Sequence, residues 1–226
     1  MTQPGPTLST DERAVRIPIG RVTLEGDLIV PAHPRAVVLF AHGSGSSRFS
    51  ARNKHVAAQL REHGFGTLLI DLLTPNEDAI DERTAEYRFD IARLAERLVG
   101  AVDWLRTEPA TSTLPVAIFG ASTGGGAALV AAAERPDRVA AVVSRGGRPD
   151  LAGAALGRVP SPTLLIVGGN DEQVLELNRA ALTQLRATTR LDVVPGATHL
   201  FEEPGALDEV ARLAAEWIET YASRAT

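Results

Sequence analysis

One serine stands between two glycines in Gly120-Ala121-Ser122-Thr123-Gly124, directly after the apolar run Pro115 to Phe119. A Gly-x-Ser-x-Gly pentapeptide between a strand and a helix forms a turn tight enough to hold the serine hydroxyl exposed above the sheet edge. Small neighbours are needed because the serine backbone is strained and the strand and helix approach closely. Gly125 and Gly126 lead into Ala127 to Glu134, rich in helix formers, and Pro136 stops the run. The chemistry this arrangement offers is nucleophilic attack by a hydroxyl.

A serine hydroxyl is weak at its own pKa, so it requires a base and a group that orients the base. Of the five histidines, His33 lies in a Pro-Ala-His-Pro turn, His42 in a glycine-rich loop, and His55 and His63 on an expected surface helix. His199 ends the loop Pro195-Gly196-Ala197-Thr198, straight after the short strand Arg190 to Val194, where a base would be delivered to the sheet edge. The orienting carboxylate should follow another strand, in the chain order Ser, Asp, His. Asp171 fits, because Pro162 to Val167 reads as a buried strand and Gly168-Gly169-Asn170-Asp171 turns off its end. Asp171 could equally cap the helix that starts at Glu172, and Asp150 competes for the role unless Arg148 or Arg145 claims it.

An oxyanion that develops during attack needs N–H donors. His42-Gly43-Ser44-Gly45-Ser46 follows the buried run Ala36 to Ala41, which assigns one donor to the Ser44 N–H and the second to that of Thr123, next to the nucleophile. The same loop is a poor phosphate cradle, since Arg48 stands where the third glycine of G-x-G-x-x-G would be and no G-x-x-x-x-G-K-[ST] occurs. Arg145, beyond the strand Val139 to Ser144, and Arg48 are the candidate substrate contacts. Arg145 would suit an anionic group, with pairing to Asp150 as its alternative.

The elements that must position these groups alternate along the chain. Two early strands, Val15 to Ile19 and Val22 to Val30, are expected to pair as an antiparallel edge. Strand Ala36 to Ala41, helix Ala51 to His63, strand Gly66 to Leu72, a long helix from Ala85 to Arg106 and strand Pro115 to Phe119 follow. Strands Val139 to Ser144, Thr163 to Val167 and Leu191 to Val194 come next, with helices Glu172 to Ala187 and Pro204 to Tyr221. Near-continuous apolar strands alternating with helices predict an α/β fold, a mostly parallel sheet of about eight strands covered by helices on both faces. Every candidate above falls at a C-terminal strand end, where such sheets carry their sites. Leu73 to Thr84 and Arg145 to Pro160 are expected to be irregular, too short for more than a minimal lid.

The ordered set HGSGSS, GASTGGG, LLIVGGND and PGATHLFEEPG, spread from about Val22 to Tyr221, resembles the α/β-hydrolases of the dienelactone hydrolase-like branch. The resemblance implies Ser122 as nucleophile, His199 as base and Asp171 as orienting acid, with ester hydrolysis as the activity. Dienelactone hydrolases proper use a cysteine nucleophile. This chain has no cysteine, which separates it from that substrate while keeping the chemistry.

With 226 residues and 44% hydrophobic residues the chain is expected to form a single domain over residues 14–226, after a flexible tail from Met1 to Arg13. Its 23 basic and 28 acidic residues, a net charge of -5, argue against nucleic acid or an anionic membrane as partner, which leaves the small-molecule ester that the resemblance implies. The only lysine is Lys54, which disfavours Schiff-base and Ser-Lys chemistry. No cofactor or metal is expected, for there are no thiols and no H-E-x-x-H. The N-terminus lacks a leader-type apolar core and no apolar run is long enough for a span, so a cytoplasmic location is expected. Trp104 and Trp217 are assigned to core packing. Within this reading the acceptor bond is an ester, a thioester, a lactone or an amide. A silent hydrolase fold that only binds is the alternative from another class.

Overall fold

The computed structural model describes residues 11–222. Two strands, β1 (Asp11–Ile19) and β2 (Val22–Val30), pair antiparallel through a turn at Gly20, whose φ of 57° suits a residue without a Cβ. Then come β3 (Val37–Ala41), α1 (Ala51–Glu62), β4 (Gly66–Ile70), α2 (Pro75–Thr84) and α3 (Ile91–Leu105). They are followed by β5 (Val116–Ala121), α4 (Thr123–Glu134), β6 (Val139–Arg145), a 3-10 segment over Pro149–Arg158, β7 (Thr163–Gly168), α5 (Glu172–Leu182), β8 (Thr189–Val194) and α6 (Ala206–Ala222). All strands join one sheet in the order β1-β2-β4-β3-β5-β6-β7-β8. From β4 to β8 every neighbour is parallel, and only β2 runs against the rest.

The apolar runs are buried on both faces, and their period of two divides the core. Val37, Leu39 and Ala41 of β3 point into a cluster with Leu94 and Leu98 of α3 and Leu129 of α4. Val38 and Phe40 point the other way, into a cluster with Val56 and Leu60 of α1 and Val210 and Ile218 of α6. Such alternation is invisible in a sequence where every position is hydrophobic. Trp217 packs in the second cluster and Trp104 lies against the first, as expected of core residues.

Several boundaries differ from expectation, among them these four. Residues 1–10 of the expected tail lie outside the described residues, but Asp11, Glu12 and Arg13 belong to β1, paired opposite Val30, Ile29 and Leu28. Their side chains are exposed at a sheet edge, so backbone pairing and an ion pair of Arg13 with Glu108 hold them and no apolar pattern marks them. The stretch expected to be irregular after β4 is the helix α2, whose start is a capping box: the Thr74 hydroxyl accepts from Glu77 N–H and the Glu77 carboxylate accepts from Thr74 N–H. Thr74-Pro75-x-Glu77 is a readable signal that the apolar pattern obscured. Ala85 then takes a left-handed φ of 55° and ends α2, so the long helix expected from residue 85 starts only at Ile91. Finally, much of the loop after β6 is wound into the 3-10 segment, interrupted at Gly153 with φ 51°.

Phe119, fully buried on β5 and tilted 5.0 Å from Phe40, tests this layer packing. Phe119→Ala is expected to lower unfolding free energy by about 3–5 kcal/mol in urea titration, because the space cannot collapse between two strands and two helices.

Candidate active site

The central strand β5 delivers Ser122. Its backbone sits at φ 51°, ψ -122°, a conformation costly for any residue with a Cβ and one that neighbours must impose. Three backbone bonds do so: Ser122 N–H donates to Arg145 O at 3.2 Å, and Ser122 O accepts from Gly125 N–H at 2.9 Å and Arg148 N–H at 3.0 Å. The glycines beside it have no room for substitution. A Cβ on Gly120 would lie 2.5 Å from Gly124 O, and one on Gly124 would lie 2.3 Å from Ala41 O. Close contact of β5, α4 and β3 is thus written into the pentapeptide.

Beside β5 on one flank, β3 ends in the glycine-rich loop. Gly43 approaches Ser122 so closely that a Cβ there would meet the Ser122 Cβ at 3.0 Å. His42 braces this loop from beneath. Its Nε2 accepts from Leu72 N–H at 3.0 Å, so the ring carries its proton on Nδ1, which lies 2.9 Å from Gly43 O. That carbonyl also accepts from Ser46 N–H at 3.2 Å. Because the peptide is planar and trans, fixing the Gly43 carbonyl fixes the Ser44 N–H in the opposite direction. Thr123 begins α4 and is buried, so its N–H is one of the helix's free first-turn donors.

On the other flank, β7 and β8 end in turns that are stitched together. Asn170 N–H donates to Ala197 O at 2.9 Å, the Asn170 side chain donates to Gly196 O at 2.9 Å, and Gly169 N–H donates to Val194 O at 2.8 Å. This holds His199 against Asp171, with Nδ1 2.6 Å from Asp171 Oδ2. The capping alternative for Asp171 fails, since its side chain makes no cap bond to α5. Phe201, buried at a left-handed φ of 57°, anchors the far side of the histidine turn. Gly146 passes beneath the ring, where a Cβ would sit 3.2 Å from His199 O.

Ser122, His199, Ser44 and Arg145 line one cavity of about 230 Å³. The structure thus brings together the sequence-predicted serine, histidine, aspartate and loop. Asp150 stays away, bound two-pronged by Arg148 at 2.7 and 2.8 Å. Arg48 is a correction to the expected substrate contacts. It faces a neighbouring cavity of about 340 Å³, with its guanidinium on Asp71, 2.9 Å from Glu25 and 3.6 Å from Asp27. Against the partial desolvation of the site, these carboxylates keep its pKa above the ordinary value. Arg48 is a pin between the loop and the sheet edge. Sequence reasoning missed His42 as a brace and Arg52 and Asn53 of α1 as cavity residues; helical spacing alone does not say that this first turn faces the site.

Among the described residues no group of three or more His, Asp or Glu is arranged to hold a metal ion, and no helix is long and apolar enough to cross a membrane.

The sheet order and the strained serine turn define an α/β-hydrolase fold. Residues 24–222 match the model of the dienelactone hydrolase family, and the chain belongs to that family. A crystal structure of a dienelactone hydrolase from Anabaena variabilis ATCC 29413 superposes with a TM-score of 0.93 at 60% identity, over 94% of this chain and 99% of that one. Two proteins of Mycobacterium tuberculosis, from strains CDC 1551 / Oshkosh and ATCC 25618 / H37Rv and provisionally named phosphoribosyl transferases, are each 58% identical over 212 residues. That is 94% of this chain but 46% of theirs, so the chain spans about half the length of these curated relatives. A dienelactone hydrolase-like promiscuous phosphotriesterase from metagenomic libraries shares the fold, with a TM-score of 0.77 at 19% identity over 95% of this chain and 99% of that one.

The brace at His42 has a measurable consequence. Burial holds its pKa below the ordinary 6.5, against the opposing pull of the Gly43 carbonyl, Asp71 and Asp78. Protonation would also cost the Leu72 bond. The unfolded chain therefore binds this proton more readily, and stability contributed by the neutral ring is present above pH 6.5 and lost as pH falls from there toward the depressed folded value. His42→Gln is expected to flatten the stability-against-pH curve below pH 6.5 in urea titrations. An unchanged slope would remove His42 from this role.

Proposed function

We propose that this protein is a serine carboxylesterase that cleaves small or medium acyl esters through an acyl-enzyme. The observation that carries the reading is the 2.6 Å contact of His199 Nδ1 with Asp171, beside a strained Ser122 in the same cavity. With Nδ1–H donating to the carboxylate, the imidazole presents Nε2 as a base. The Ser122 hydroxyl loses its proton to Nε2 as its Oγ bonds to the acyl carbon. The carbonyl oxygen becomes an anion between the Ser44 and Thr123 N–H groups. As the anion collapses, the acyl carbon–oxygen bond to the alcohol breaks and the imidazolium returns the proton to the leaving oxygen. Water then repeats the sequence on the acyl-serine, giving the carboxylic acid and free enzyme. Asp171 stays ionised throughout and stabilises the imidazolium.

A cavity of about 230 Å³ favours small acyl groups, being below the roughly 300–1,000 Å³ of sites for drug-sized ligands. Thioesters, lactones and amides differ only in the leaving group, and a panel of nitrophenyl esters with thioester and lactone counterparts ranks them. The transferase name of the mycobacterial relatives belongs to proteins about twice as long, and the residues grouped around Ser122 support acyl chemistry instead. A cytoplasmic location fits the same reading.

A fluorophosphonate probe is expected to label the chain once, at Ser122, and Ser122→Ala to abolish labelling. Persisting label in that variant defeats the assignment, and absence of label in the native protein favours a binding module. Asp171→Asn should lower kcat by about 10⁴, since the imidazole loses its orienting anion, while Asp150→Asn, which breaks only the pair with Arg148, should change kcat by severalfold at most. The reverse order would move the acid to the turn after β6.

A further inference from the structure

The two edges of the sheet treat their charges differently. On β8, Arg190 and Asp192 close on each other at 2.7 Å. On β1, Glu12 and Arg16 are exposed, and neither side chain enters an ion pair or a hydrogen bond among the described residues, although Arg61 lies near enough to Glu12 to feel its charge. They stand on one side of the strand with Ala14 between them, about 13 Å apart, so they cannot meet within one chain. The backbone there is free as well. Ile19 and Val22 face each other across a two-residue turn and form a bonded pair, and such pairs alternate along an antiparallel ladder. Arg16 opposite Glu25 is then an unbonded pair, and Glu25 O accepts instead from Asp71 N–H, at the end of β4, at 3.0 Å. The N–H and C=O groups of Glu12, Ala14 and Arg16 therefore point out of the sheet, where no further strand of this chain follows. Pro18, next on that side, has no N–H and ends the free run.

Open edges are ordinarily blunted by charge or proline against pairing with another chain. The charges of β1 are instead complementary to themselves. We infer that β1 pairs antiparallel with β1 of a second copy of this chain, across a twofold axis at Ala14. Ala14 then faces its counterpart, and Glu12 and Arg16 of each copy face Arg16 and Glu12 of the other in bonded pairs, with Cα atoms about 5.5 Å apart. The free backbone groups find partners, and two cross-strand ion pairs form. Charge also selects the register. An axis at Arg13 sets Glu12 opposite Ala14 and Arg16 opposite Thr10, and an axis at Val15 sets Arg16 opposite Ala14 and Glu12 opposite Pro18, so both leave the two charges facing uncharged residues. The axis at Ala14 also uses the run from Asp11 to Ile17 in full, bounded by the start of β1 and by Pro18. The contact is isologous and lies beyond β2, β4 and β3 from β5, so each copy keeps its own site and the inference is independent of the esterase reading.

Sedimentation velocity over a concentration series is expected to show the native chain in a monomer–dimer equilibrium. Glu12→Arg and Arg16→Glu should each raise the dimer dissociation constant about tenfold or more, because like charges then face each other across the axis. An equal mixture of these two variants should regain the dimer, since each supplies the charge that the other lacks, and the chain carrying both substitutions should dimerise by itself. Ala14→Pro, which deletes one outward N–H without touching a bond inside the sheet, should abolish association while far-UV circular dichroism stays unchanged. A native chain that is monomeric at every concentration overturns the inference. So does a dimer that survives the single charge reversals, which would place the contact elsewhere on the surface, and so does a mixture of the two variants that remains monomeric.

Discussion

The backbone of Ser122 is the constraint on which the site depends. A residue with a Cβ at φ 51° and ψ -122° is held there only by its surroundings, and those surroundings are backbone groups of β6, of the turn after it and of the first turn of α4. The cost of the strain is met by the sheet, since β5 lies between β3 and β6 with every position of the strand buried. Gly120 and Gly124 are demanded by the same geometry from both sides, so the pentapeptide and the parallel packing imply one another.

Strand order turns this local strain into a site. β3 lies directly beside β5 and brings its loop over the serine, while β7 and β8 lie two and three strands away on the other side. At about 4.8 Å per strand the histidine could not meet the serine's cavity unless its turn reached back across β7. The stitching of Asn170 to Ala197 and Gly196, and the buried Phe201 beyond, hold that turn in its returned position. A Cβ on Gly168 would lie 2.4 Å from Ala197 O, so here too a glycine marks where two turns touch.

Charge is arranged with equal economy around the sheet edge. Three arginines of similar sequence context have three different environments: Arg48 pins a loop to acids of the sheet edge, Arg148 closes on its near neighbour Asp150, and Arg145 is sealed inside against an aromatic ring. Only burial and partner identity separate these three cations, and both are properties of the assembled chain.

The sequence by itself determined the fold class and the triad candidates. Glycine spacing around Ser122, apolar runs before Ser44, Asp171 and His199, and the order of these along the chain are local signals, each with a steric or periodic cause. It also carried the start of α2, in Thr74 and Glu77, though the weak apolar pattern of that helix hid it. Tertiary structure alone decided between Asp171 as cap and Asp171 as partner of His199, because both roles use the same residue at the same turn and differ only in what packs opposite. It alone gave β1 its first three residues, which are held by pairing across an edge rather than by burial. It alone separated Arg145 from Arg48, and made His42 a brace for the loop after β3, since a side chain's partners come from strands distant in sequence and no spacing along one chain encodes which carboxylate, carbonyl or N–H will lie within reach.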